Sequence, residues 1–183
     1  MRTMKRTILF VASLFVVANL AGCASSSATV SPAQPVMTSE PASLDFILVS
    51  TTSDLGNVEG ERRSFNDQVL SGLRETGLFA SVEDENTTNN PGTGIKVESK
   101  ITGITKVTHG ARLWYGGLAG RARVVVQVNI SDLGTGKQIE AFEVEGNSGN
   151  SARSGLTDEA IQRAAEQVVS EVVQINSRTA RLF

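Results

Sequence analysis

Apolar and polar residues alternate most clearly in the middle of the chain. Ile95, Val97, Ser99, Ile101 and Gly103 share one side of an extended stretch, and Lys96, Glu98, Lys100 and Thr102 occupy the other, the two-residue period of a half-buried strand. Over residues 121–131, Val124, Val126, Val128 and Ile130 line one face of a second strand, opposite Val125, Gln127 and Asn129. Residues 132–137 then read Asp-Leu-Gly-Thr-Gly-Lys, which suits a tight hairpin with one left-handed residue, and residues 138–145 supply the returning strand. Upstream, the mostly apolar residues 44–49 predict a buried strand closed by the turn-prone Thr51-Thr52-Ser53-Asp54, and residues 78–82 predict a shorter one. Residues 83–94, with Asn89-Asn90-Pro91-Gly92, read as an acidic loop.

The period changes to a helical one twice. Phe65, Val69 and Leu73 recur every four residues over 61–76, and Gly77 stands where a helix-terminating glycine belongs. Ile161, Ala164, Val168, Val172 and Ile175 mark the buried stripe of a longer helix, with Thr157 able to cap it and Asp158 and Glu159 in its first turn. This order of elements predicts an α+β two-layer sandwich, a mainly antiparallel sheet of four or five strands with two helices on one face.

The N-terminal region follows neither pattern. Arg2, Lys5 and Arg6 precede an apolar run over residues 8–20, and the run ends in Leu20-Ala21-Gly22-Cys23. A basic start, a short apolar stretch and small residues before a cleavage point are the marks of a secretory signal peptide. The run would reach only about 20 Å as a helix, short of the ~30 Å core of a bilayer. Leu-Ala-Gly-Cys resembles the lipobox of bacterial lipoproteins. That likeness implies cleavage between Gly22 and Cys23, lipid on the Cys23 thiol and a triacylated mature terminus. Ala24 in place of an aspartate at the next position is similar to the outer-membrane sorting pattern, which implies an outer-membrane anchor with the domain facing the periplasm. Residues 24–43 are mostly Ser, Ala, Thr and Pro, so a flexible tether is expected there, about 25 Å long on average and about 65 Å when pulled out. The expected organisation is a signal peptide over 1–22, lipidated Cys23 and tether over 23–43, and one domain over 44–183.

Charge and cysteine usage narrow the function. Without the three basic residues of the leader, 14 of the 17 remain against 19 acidic residues, a net charge of -5. That balance, with the basic residues scattered, argues against nucleic-acid binding. Cys23 is the only cysteine, so neither an intrachain disulfide nor a multi-cysteine metal site can be built.

Motifs with apparent chemistry dissolve on inspection. Gly134-Thr135-Gly136-Lys137 lacks the first glycine and the following helix of a phosphate-binding loop. Gly116, Gly117 and Gly120 lack the strand, helix and spacing of a dinucleotide fingerprint. Gly146-Asn147-Ser148-Gly149-Asn150 resembles a nucleophile elbow except at its last position, and His109 is the sole histidine that could serve Ser148. No catalytic set, metal site or cofactor is expected.

Residues 112–122, reading Arg-Leu-Trp-Tyr-Gly-Gly-Leu-Ala-Gly-Arg-Ala, followed by the valine-rich strand and Asp132-Leu-Gly-Thr-Gly-Lys137, resemble the bacterial lipoproteins grouped as domain of unknown function 4410. Thr76-Gly77-Leu78-Phe79 and the alanine- and valine-rich last helix fit the same resemblance, which extends over residues 44–175. It implies lipid anchoring and an envelope location, and no activity. In layout the chain is also similar to the periplasmic lipoproteins that activate penicillin-binding proteins and to the curli-secretion lipoprotein, a likeness of architecture alone.

Arg112, Leu113, Trp114 and Tyr115 form the candidate interaction site, since Trp, Tyr and Arg are the residues most enriched at binding hot spots. Trp114 either presents this surface or closes one end of the core. The leading expectation is a nonenzymatic interaction or assembly module of the envelope, held to the membrane by its lipid and contacting an envelope protein or peptidoglycan. The alternative is a small-ligand or glycan-binding lipoprotein, which needs a concave pocket.

Overall fold

The computed structural model describes residues 26–32, 45–88, 93–149 and 156–179. Its elements are β1 (Ser27–Pro32), β2 (Phe46–Ser53), α1 (Glu59–Glu75), β3 (Ser81–Asp84), β4 (Ile95–Thr105), α2 (His109–Tyr115) running into a 3₁₀ turn (Gly116–Ala119), β5 (Arg123–Asp132), β6 (Gln138–Asn147) and α3 (Thr157–Thr179). The strands form one open sheet in the order β1-β6-β5-β4-β2-β3. Helices α1 and α3 pack on each other and on one face, α1 against β2 and β3, α3 against β1, β5 and β6. The α+β two-layer arrangement therefore holds, and its details differ from expectation: six strands rather than four or five, and a third helix, α2.

Two features explain the difference. Ser27–Pro32 lies within the stretch expected to be a flexible tether, yet it pairs antiparallel with β6 from Ser27↔Asn147 to Pro32↔Phe142. Its side chains carry little apolar signal because an edge strand is held mainly by backbone hydrogen bonds, and Pro32 is tolerated there at the strand's end. The sheet thus begins well before Leu44. The second feature is direction. β2 runs parallel to both β3 and β4, since α1 carries the chain back before β3 and the chain returns a second time between β3 and β4.

The helical stripes are buried as their spacing predicts. Phe65, Val69 and Leu73 of α1, and Ile161, Ala164, Val168, Val172 and Ile175 of α3, meet Ile47, Val49, Ile95, Val97, Val126, Val128 and Val144 of the sheet in one core. Burying each large apolar side chain contributes about 1.5–3 kcal/mol. A polar chain crosses this layer: the Thr51 hydroxyl donates to Asn66 Oδ1 at 2.9 Å, and Asn66 Nδ2 donates to Asp84 Oδ2 at 2.7 Å. Both of its links are satisfied hydrogen bonds, so β2, α1 and β3 are tied together without leaving Asn66 unpaired. Arg74 clamps the end of α1 to β3 by donating twice to the Val82 carbonyl, at 3.0 and 2.8 Å.

Turn chemistry agrees with the sequence at two glycines, whereas Thr51, Thr52 and Ser53, expected to turn, continue β2 in register with β4. Gly77 and Gly136 both take positive φ, +64° and +68°, at the end of α1 and in the β5–β6 hairpin. Asp132 Oδ1 accepts from the Thr135 amide at 2.7 Å and from its hydroxyl at 2.8 Å, so residues 132–137 are a closed turn and not a phosphate cradle. Thr157 departs from its expected role as a cap. It is the first residue of α3, and its hydroxyl accepts the Val107 amide at 3.2 Å, tying α3 to the chain leaving β4.

Candidate functional site: an apolar loop held out from one end of the sheet

Residues 106–122 connect β4 to β5 and are fixed at both ends. Val107 is buried, with its amide held by Thr157. Ala122 is fully buried, and its amide donates to the Ser148 hydroxyl at 2.9 Å while its carbonyl accepts from the Ser148 amide at 3.0 Å. Ala119 packs partly against the core. Between these posts the Thr108 hydroxyl accepts the Ala111 amide at 3.2 Å at the start of α2, and Gly120, at φ +81°, turns the chain toward β5.

The loop presents apolar side chains to the outside. Leu113 and Trp114 are each 84% exposed, Tyr115 66% and Leu118 93%. Of the two placements open to Trp114, the structure takes the outward one. Four large apolar side chains are thus exposed on one loop whose two ends are secured. Arg112 lies in the same helix, and its side chain lies outside the described residues; Gly22 and Cys23 lie outside them altogether.

The surroundings are basic in sequence, with no acidic residue between Glu98 and Asp132. At the sheet end, Arg123 is paired with Glu145, and Lys106 bonds Glu61 at 2.6 Å and the Asn57 carbonyl at 2.9 Å. The Lys106 ammonium holds the Glu61 carboxyl below its ordinary range, and the Arg123 guanidinium, helped by Asn147, does the same for Glu145. Arg121 is exposed and makes no ion pair among the described residues.

Ser148 and His109 do not form a nucleophile pair. Ser148 is 0% exposed, and its hydroxyl accepts from Ala122 and donates to the Gly149 carbonyl at 3.1 Å, whereas His109 begins α2 in solvent. The serine instead prolongs the β5–β6 ladder by one side-chain rung. Ser148→Ala is expected to destabilise the domain by about 1–3 kcal/mol, because it leaves the buried Ala122 amide without an acceptor. Urea denaturation followed by circular dichroism measures this, and an unchanged midpoint contradicts it.

Two broad grooves lie elsewhere. One, of about 750 Å³, runs between α1 and α3 past Gln68, Gly72, Glu75, Asp158 and Glu166. The other, of about 720 Å³, crosses the helix-free face of the sheet past Thr52, Glu98, Lys100, Gln127, Asn129 and Glu143. Neither is lined by Leu113, Trp114, Tyr115 or Leu118. Among the described residues no helix is long and apolar enough to cross a membrane, and no three His, Cys, Asp or Glu side chains gather to hold a metal.

Residues 23–152, which include all six strands, α1 and α2, match the family described as domain of unknown function DUF4410. The chain belongs to this family. Comparison with curated proteins finds no match. Among solved structures, this DUF4410 chain is similar to a leucine-to-methionine variant of the PelC dodecamer from Paraburkholderia phytofirmans, at 18% identity and a TM-score of 0.52, over 79% of this chain and 96% of that one. A second PelC dodecamer structure from the same organism gives 19% identity and a TM-score of 0.50 over the same shares. At such identities the likeness is one of fold.

Proposed function

We propose that this DUF4410 protein is an envelope lipoprotein, anchored in the outer membrane by lipid on Cys23 and facing the periplasm, that works as a nonenzymatic interaction or assembly module. The observation that carries this reading is the outward placement of Leu113, Trp114, Tyr115 and Leu118 on a loop whose two ends are bonded into the core. Such a surface has a function only when something covers it. The commitment of the Ser148 hydroxyl to the backbone supports the nonenzymatic part. The PelC structures, similar in fold, are dodecamers; copies of this chain are therefore one candidate partner, beside another envelope protein or peptidoglycan. The small-ligand or glycan reading finds its support in the groove across the helix-free face, and its binding residues would then be Glu98, Gln127 and Asn129 rather than the Trp114 loop.

A photoreactive amino acid in place of Tyr115, activated in living cells, tests the module reading. An adduct with an envelope component, whether protein, glycan strand or phospholipid, is the expected result. A yield at Tyr115 no higher than that from a control position in the α1–α3 groove contradicts it.

A further inference from the structure

The register of the sheet sets the Trp114 loop beside the point where the chain enters the fold. Ser27 pairs with Asn147, Asn147 with Arg123, and Arg123 with Thr105, so four strand ends form one row across β1, β6, β5 and β4. The loop springs from Thr105 and Arg123, the last two members of that row. Ser27 stands two strands from Arg123, about 10 Å at ordinary strand spacing. Arg163 of α3 fixes Ser26 by donating to its hydroxyl at 2.7 Å. Only Ala24 and Ser25 separate Cys23 from Ser26, a covalent reach of at most about 11 Å. A lipid on Cys23 is thereby confined to the sheet end that carries the loop.

We infer that the Trp114 loop is a membrane-contact surface, inserting Leu113, Trp114, Tyr115 and Leu118 into the interface of the same bilayer that holds the lipid on Cys23. The inference rests on the reading of Cys23 as the lipid-bearing residue. Its chemistry suits a phospholipid surface in three respects. Leucine supplies apolar area, Trp and Tyr are the side chains that settle at headgroup level, and the short length of α2 and the 3₁₀ turn fits shallow interfacial seating rather than spanning. The loop's own segment holds no acidic residue between Glu98 and Asp132 and exposes Arg121, while Glu61 and Glu145 at the same end are paired with Lys106 and Arg123. The loop itself thus brings a positive charge toward anionic lipids. Two contacts, lipid and loop, would fix the orientation of the domain where the lipid alone leaves it free to turn.

Trp114 is the only tryptophan, so its emission reports on this loop alone. The full lipidated chain is reconstituted into vesicles of phosphatidylethanolamine and phosphatidylglycerol, with either plain acyl chains or chains brominated near the headgroup. Flotation of the vesicles scores anchoring independently. Protein that floats and loses most of its Trp114 emission in brominated vesicles, relative to plain ones, is the expected result. A Leu113→Glu, Leu118→Glu variant should still float, keep its circular dichroism and recover most of that emission. Floating protein with equal emission in both lipids overturns the inference and leaves the anchored-lipoprotein reading intact; a blue-shifted but unquenched signal does the same and indicates burial against a protein. Quenching unchanged in the double variant overturns it as well, since proximity then comes from the anchor alone. Failure of the wild-type chain to float overturns both.

Discussion

Gly146→Ala is expected to cost about 3 kcal/mol of stability, with a fall in melting temperature of roughly 10 °C, although it adds a single methyl group. A Cβ at Gly146 would lie 2.2 Å from the Ala160 carbonyl oxygen, 2.8 Å from the Ala164 amide nitrogen and 2.9 Å from the Ala164 Cβ. Two of those atoms are helix backbone, so no side-chain rotation relieves the clash. Ala160 and Ala164 sit one turn apart and fully buried, and with Gly146 they form the seam along which α3 approaches the β6 backbone. Relief requires α3 to lift from the sheet, which opens the contacts of Ile161 and Val168. Gly60→Ala is the matched control: it lies in α1 with nothing within 4 Å of the added atom, and it should stabilise by about 0.4–1 kcal/mol. Thermal unfolding of the two variants side by side checks both signs. A Gly146→Ala protein as stable as wild type contradicts the packing of α3 described here.

The second large effect concerns location. Cys23→Ala should abolish incorporation of labelled fatty acid, and because lipid attachment precedes cleavage in lipoproteins of this kind, the uncleaved precursor with residues 1–22 should accumulate. The outer-membrane pool should then disappear. Each buried methylene of an acyl chain contributes about 0.8 kcal/mol, so several chains hold a protein on the bilayer in a way the exposed loop alone cannot replace. Fractionation of cell envelopes with labelled palmitate distinguishes the outcomes, and a Cys23→Ala protein of mature size in the outer membrane would sink the proposed anchor.

Much of the fold was legible in the sequence because its signals are local. The alternation from Ile95 to Gly103 and from Val124 to Ile130, the four-residue spacing of Phe65, Val69 and Leu73, and the positive-φ glycines each report a single element. β1 was not legible, since Ser27–Pro32 enters the sheet through its backbone and its composition resembles a tether. Nor was the parallel placement of β2, because period-2 patterning states which face is buried and says nothing of strand direction. The Trp114 loop marks the same boundary from the other side. Leu113, Trp114, Tyr115 and Leu118 look like core residues by type, and only the surrounding Gly116, Gly117 and Gly120, with no helical or strand period among them, hint that the segment leaves the core. Pairing of Ser27, Asn147, Arg123 and Thr105 in one row, which joins the loop to the chain entrance, is a long-range fact with no counterpart in any local pattern.

The proposed anchor and the membrane contact of the Trp114 loop both pass through Cys23, and the mass of the mature N-terminal peptide tests it most directly. Protein purified from membranes and digested should yield a terminal peptide that begins at Cys23 and carries a diacylglyceryl group on sulfur and a further acyl chain on the amine. A peptide that continues unbroken from Gly22 into an unmodified Cys23 would contradict the account.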